Sequence, residues 1–160
     1  MKVGRDIAVG MGECAVASGN GDRLTMILGS CVGVMLIDEE AHVASALHAM
    51  LPRAQGKDGE RGRYVDTGLP IAVGLALKAG ARRSRLKAKL AGGANMFPKL
   101  ARTFVANIGE RNVEAARGAL AEAGIELTAE DVGGTVGRVA SLDPDRGTVE
   151  IRAGNSRRVI

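Results

Sequence analysis

Aromatic side chains are almost absent from this 160-residue chain: no tryptophan, one tyrosine and two phenylalanines, 2% in all. Platforms for stacking nucleotide bases are therefore missing. The net charge of +4, from 22 basic against 18 acidic residues, is mild and scattered. Nucleic acid is excluded as the expected partner. Cysteine is equally scarce. Cys14 and Cys31 make no disulfide framework, and both are expected to be free thiols in a reducing cytoplasm. Neither C-x-x-C nor H-x-x-x-H spacing occurs, so no metal site is expected. No P-loop or dinucleotide signature accompanies the glycine pairs, and no cofactor is expected. Long apolar runs are lacking too: the longest uncharged stretch, Leu24 to Ile37, is too short to span a bilayer. Lys2 and Arg5 ahead of an apolar stretch ending in Ala15-Val16-Ala17 imitate a secretory leader. Glu13 interrupts that stretch, and a strand reading fits it better.

What is present is aliphatic and rich in glycine. Apolar residues make up 46% and charged residues 25%, with 23 glycines for turns and close backbone approaches. The length suits one domain over residues 1–160, with a core of Ala, Val, Leu, Ile and Met. Residues 6–18 predict one or two short strands, and Arg23 to Leu28 another after the Asn20-Gly21-Asp22 turn. Val32 to Asp38 and Val43 to Met50 predict a hairpin turning about Glu39-Glu40. Gln55 to Arg63 reads as a mobile surface loop. Thr67 offers an N-cap for a helix through about Lys78, apolar nearly all round and so expected to be well buried. Leu86 to Leu90 predicts a strand, and Glu110 to Ala123 a second helix stopped by Gly124. Val136 to Leu142 and Thr148 to Arg152 flank a turn at Asp143-Pro144-Asp145-Arg146-Gly147. The class is α+β: mixed sheets with two helices packed outside.

The chemistry concentrates at Cys31 and His48. A hairpin centred on Glu39-Glu40 sets these two directly opposite, with Cβ atoms about 4.5–5.5 Å apart, close enough for thiol and imidazole to share a proton. The thiolate is the nucleophile, and an adjacent imidazolium favours it. Gly29 lets the backbone turn sharply ahead of the cysteine. The N–H groups near Ser30 and Cys31 can then serve as oxyanion donors. A buried packing role for Cys31 is the competing reading, since cysteine is among the most buried residue types. Cys14 reads as a packing residue and His42 as a solvated hairpin tip. The basic cluster from Arg82 to Lys89 reads as a solvated face or as a contact for an acidic surface.

Several blocks, in order along the chain, resemble the CheD family of chemoreceptor glutamine deamidases. They are Leu28-Gly29-Ser30-Cys31-Val32, His48-Ala49-Met50-Leu51-Pro52, Tyr64-Val65-Asp66-Thr67 with Leu69-Pro70, and Gly92-Gly93-Ala94-Asn95-Met96-Phe97. Ile108-Gly109-Glu110-Arg111-Asn112 and Asp131-Val132-Gly133-Gly134 with Gly137-Arg138 complete the set. The resemblance implies an α/β sandwich similar to the catalytic domain of cytotoxic necrotizing factor-type deamidases. It implies a cysteine hydrolase with a Cys–His–Thr constellation, which maps onto Cys31, His48 and Thr25. It also implies glutamines on the cytoplasmic helices of methyl-accepting chemoreceptors as substrates, and a CheC-type phosphatase as partner. Ala44-Ser45 departs from a glycine pair common in the family, and the tail from Asn155 matches nothing in it. The rival from another class is a regulatory binding module for CheC with little or no catalysis.

Overall fold

The computed structural model describes residues 3–56, 59–100 and 107–160. Among these residues ten strands and two α-helices run β1 (Asp6–Ala8), β2 (Cys14–Ala17), β3 (Arg23–Leu28), β4 (Val32–Asp38), β5 (Val43–Ala49), α1 (Val65–Lys78), β6 (Lys87–Gly92), α2 (Ile108–Ala123), β7 (Glu126–Val132), β8 (Arg138–Asp143), β9 (Thr148–Ala153) and β10 (Ser156–Val159). The expected α+β class, mixed sheets with two helices, is what the chain forms.

Alternation along β4 and β5 shows how the layers stack. Val32, Val34, Leu36, Val43, Leu47 and Ala49 face α1 and α2, while Cys31, Met35, Ile37, Ala44 and Ala46 face the other way. Both strands are buried throughout because each face meets a layer. One sheet, ordered β2-β5-β4-β6-β7, therefore lies between the helices and a second sheet, ordered β1-β3-β8-β9-β10. Leu24, Met26 and Leu28 of β3 close the inter-sheet core with Ala140, Leu142, Val149 and Ile151.

Three expectations need correction. The β4–β5 ladder pairs Asp38 with Val43 and Gly33 with His48, so the hairpin is centred one residue later than Glu39-Glu40 and each partner moves by two. The cause is a four-residue loop. Asp38 Oδ1 accepts the Ala41 N–H at 3.1 Å, and His42 takes a left-handed φ of 56° to bring the chain back. Thr67 is not a cap: α1 starts at Val65 after Tyr64, and the Thr67 hydroxyl donates to the Arg61 carbonyl at 2.6 Å. Nor is α1 buried all round. It lies on the sheet by one face, Val65, Leu69, Ala72, Val73 and Ala76, and leaves Leu77 38% exposed.

The expected mobile loop contains a short 3₁₀ turn at Arg61–Arg63, and its Lys57 and Asp58 lie outside the described residues. The basic cluster is largely committed within the fold. Arg85 pairs with the fully buried Asp38 at 2.9 Å, Lys87 with Glu126 at 2.5 Å, and Lys89 Nζ donates to the Gly147 carbonyl at 3.0 Å. Two strands had not been expected, β7 and β10. Among the described residues, no helix is long and apolar enough to cross a membrane.

Candidate active site

Cys31 sits in the bend between β3 and β4, 9% exposed, and His48 lies near the end of β5, 2% exposed. Both face the space between the sheets, on the same side as Met35, Ala44 and Ala46. Gly33, not Cys31, is directly opposite His48. A shift of two keeps side chains on their face, so Cys31 and His48 stay on the same side of the sheet, offset along it rather than directly opposed. Gly33 leaves room for the tips of Met26 and Leu28: a Cβ there would lie 2.7 Å from Met26 Cε and 3.1 Å from Leu28 Cδ1.

The segment before β2 holds the imidazole. His48 Nδ1 lies 2.8 Å from the Val9 carbonyl, which can only accept, so Nδ1 carries the proton and Nε2 the lone pair. The backbone fixes the same place twice more, through Gly12 N–H to His48 O at 2.8 Å and His48 N–H to Glu13 O at 3.0 Å. His48 Nε2 is buried and has no hydrogen-bond partner among the described residues. In this resting arrangement the thiol is therefore not bonded to it.

The bend that carries Cys31 is held by its carbonyls. Gly29 O accepts from Ala94 N at 3.0 Å, Ser30 O from Asn112 Nδ2 at 3.0 Å, and Cys31 O from Gly93 N at 2.8 Å. Gly92 explains the fit: at φ 102°, a Cβ on it would stand 2.3 Å from Cys31 O. Burial pushes the Cys31 thiol up, with its own backbone N–H pulling the other way. Burial pushes the His48 imidazole down, opposed by the Val9 bond and the nearby Glu13 carboxylate. Both shifts favour uncharged partners, a thiol beside a neutral imidazole, and correct the expectation of a standing thiolate.

Thr25 does not join them. Its side chain is on the outer face of β3, where the hydroxyl donates to Asp6 Oδ1 at 2.5 Å and lies 3.4 Å from Ser141 Oγ. Only its main chain reaches the site: Thr25 O accepts the Val9 N–H at 2.8 Å, and Val9 O accepts from His48. Cys14 is on the helix-facing side of β2, its thiol pushed up to about 11 by burial, so the two cysteines lie on opposite faces of their sheet. Val9 was missed by sequence reasoning, because it acts through a carbonyl and leaves no side-chain signal. Asn112, which the sequence offered within the Ile108-Gly109-Glu110-Arg111-Asn112 block, is a polar residue on the stripe of α2 that buries Val113, Ala116 and Leu120.

A thiol and an oriented, unprotonated imidazole nitrogen on one face of a mixed-sheet α+β sandwich define a site of the cysteine–histidine class. Comparison with known proteins adds the lineage. Residues 50–153 match the family model described as CheD chemotactic sensory transduction, a span that begins just past His48. The "Probable chemoreceptor glutamine deamidase CheD" of Pyrococcus horikoshii is 44% identical over 158 residues, covering 98% of this chain and 97% of that one. The protein of the same description from Pyrococcus abyssi is 47% identical, covering 92% and 91%. The "Chemoreceptor glutamine deamidase CheD" of Halalkalibacterium halodurans is 42% identical, covering 91% and 92%. The chain belongs to the CheD family. Among solved structures, the crystal structure of Neisseria meningitidis protein NMB0706 shares the fold at a TM-score of 0.52 and 9% identity, over 81% of this chain and 65% of that one.

Proposed function

We propose that this chain deamidates glutamine side chains of chemoreceptors by cysteine-dependent acyl transfer. One observation carries the reading: His48 presents a buried, unpartnered Nε2 on the face that holds Cys31, with its other nitrogen tied to Val9 O. The relatives' names, which specify chemoreceptor glutamine deamidation, supply the substrate.

In this reading Nε2 takes the thiol proton as Cys31 Sγ attacks the carboxamide carbon. A base that acts during attack needs no standing ion pair, which suits a site whose burial favours neutral groups. Catalytic contacts absent from a free enzyme commonly tighten when substrate binds. The oxyanion is held by N–H groups of the Gly29-Ser30-Cys31 bend, whose carbonyls are all engaged elsewhere. His48 returns the proton to the departing nitrogen and ammonia leaves. Water, deprotonated by the same Nε2, then cleaves the thioester to give glutamate and regenerate the thiol. A glutamate methyl ester would form the same acyl-enzyme and release methanol, so methylesterase activity belongs to the proposal. Thr25 serves through its carbonyl, by way of Val9. The family resemblance supplies a CheC-type phosphatase as the partner.

The test is mass spectrometry of a coexpressed chemoreceptor. The wild-type chain should produce one-dalton gains at particular glutamines, and Cys31→Ala none. His48→Ala should slow turnover about 10²–10⁴-fold, the scale of a lost general base. Undiminished deamidation by Cys31→Ala would end the mechanism.

A further inference from the structure

The β4–β5 ladder ends at the pair Val32 and Ala49. Beyond it the two chains part. On one side Cys31 O and Gly29 O turn to the N–H groups of Gly93 and Ala94. On the other, Met50 and Leu51 donate to Arg63 O at 2.9 and 3.1 Å. Nucleophile and base therefore lie at the point where the sheet stops holding their strands together, and small changes in the splay of these two ends would move sulfur relative to imidazole.

Asn112 sits in this fork. It is fully buried, and its Nδ2 donates to Ser30 O and to Met50 O, each at 3.0 Å. Both amide hydrogens are thus used, one on the residue before Cys31 and one on the residue two beyond His48. The base of α2 that carries it is itself seated tightly. A Cβ on Gly109 would lie 2.5 Å from Ala94 O and 2.6 Å from Gly93 O, the strip that also holds Gly29 and Cys31. An aliphatic residue would suit this position on an apolar helix stripe. A primary amide with two donors is what two converging carbonyls require.

We propose that Asn112 is a positioning residue that sets the separation of Cys31 and His48 by bridging the strand ends that carry them, an inference resting on the catalytic pairing above. It touches no reacting atom. Its effect is on the fraction of time the sulfur and Nε2 are within proton-transfer reach.

Alkylation of Cys31 by iodoacetamide across pH, in a Cys14→Ala background, tests this without needing receptor turnover. The wild type should react at neutral pH with a profile that His48→Ala abolishes. Asn112→Ala should lose about tenfold or more of that rate and take on the His48→Ala profile, the loss expected of a displaced base. In deamidation it should lower kcat and leave KM nearly unchanged. Leu120→Ala, two turns along α2, supplies a variant destabilised without touching the fork, and its profile should match wild type. Asn112→Asp, which keeps the shape but no amide donors, serves if Asn112→Ala fails to fold. The proposal is overturned by a wild-type profile in either Asn112 variant, by the same change in Leu120→Ala, by indifference of the parent profile to His48→Ala, or by failure of both Asn112 variants to fold. A His48-dependent profile in a chain that deamidates no receptor would sink the functional reading, while the profiles of the Asn112 variants would still decide the positioning role.

Discussion

At the residue scale, Cys31 and His48 are governed by burial more than by each other. His48 is held below its ordinary value and Cys31 above its own. Between the lowered native value of His48 and its unfolded value near ~6.5, the unfolded chain binds the extra proton. Native stability therefore falls as pH drops through this window. The thiol works at the other end. Above about 8.5 the unfolded chain releases a thiol proton that the folded chain keeps, so stability falls as pH rises there. Thermal melts across pH should show both flanks, the acid one reduced in His48→Gln and the alkaline one in Cys31→Ala. Deamidation, which in the proposed mechanism needs neutral imidazole, should persist below the usual histidine range before it fails. The sequence showed which residues to suspect, since the chain has only two of each type. It could not show their protonation, because that depends on layers contributed by distant strands.

At the element scale, strand limits were legible and register was not. β3 and β4 were expected where they form, as was the Gly124 stop of α2, which adopts φ 70°. The hairpin centre was missed because Asp38 lends a side-chain oxygen to the loop and His42 accepts a left-handed backbone, neither of which shows in an alternation pattern. The face survived only because the error was even. β7 and β10 escaped notice because both lie at sheet edges. β7 mixes in helix-forming Glu and Ala, and β10 exposes every residue, so neither shows the buried alternation by which strands are read.

Glycine substitutions separate local strain from damage to the site. Gly124→Ala meets open space and should cost only the left-handed penalty, about 1–2 kcal/mol, with activity intact. Gly92→Ala carries φ strain and also drives a methyl into Cys31 O. It should cost more in urea denaturation and slow Cys31 alkylation.

At the scale of the whole molecule, the site is a by-product of stacking. The central sheet buries Val, Leu and Ala against two helices on one side and turns Cys31 and His48 into the inter-sheet core on the other. Composition foretold an aliphatic core, and truncation of a central member, Leu47→Ala, should cost about 2–5 kcal/mol. Nothing local foretold which strands share a sheet. The order β1-β3-β8-β9-β10 joins the two ends of the chain, and no periodicity encodes that. Charge also acts at this scale. Burial raises the Asp38 carboxyl, but bonds from Arg85, Arg82 N–H and Ala41 N–H outweigh it and hold the group below its ordinary value. Its contribution is present above the unfolded value near ~3.9 and lost as pH falls through the folded one. Acid unfolding of Asp38→Asn should accordingly be less steep than that of wild type in this range.

The most direct measurement is to quench the enzyme with acid during turnover of a glutamine-containing receptor peptide and map the adduct by mass spectrometry. A thioester on the Cys31 peptide, heavier by the receptor peptide less one ammonia and absent from Cys31→Ala, is the expected result. Continued turnover with no such adduct, or an adduct on Cys14 alone, would contradict acyl transfer through Cys31.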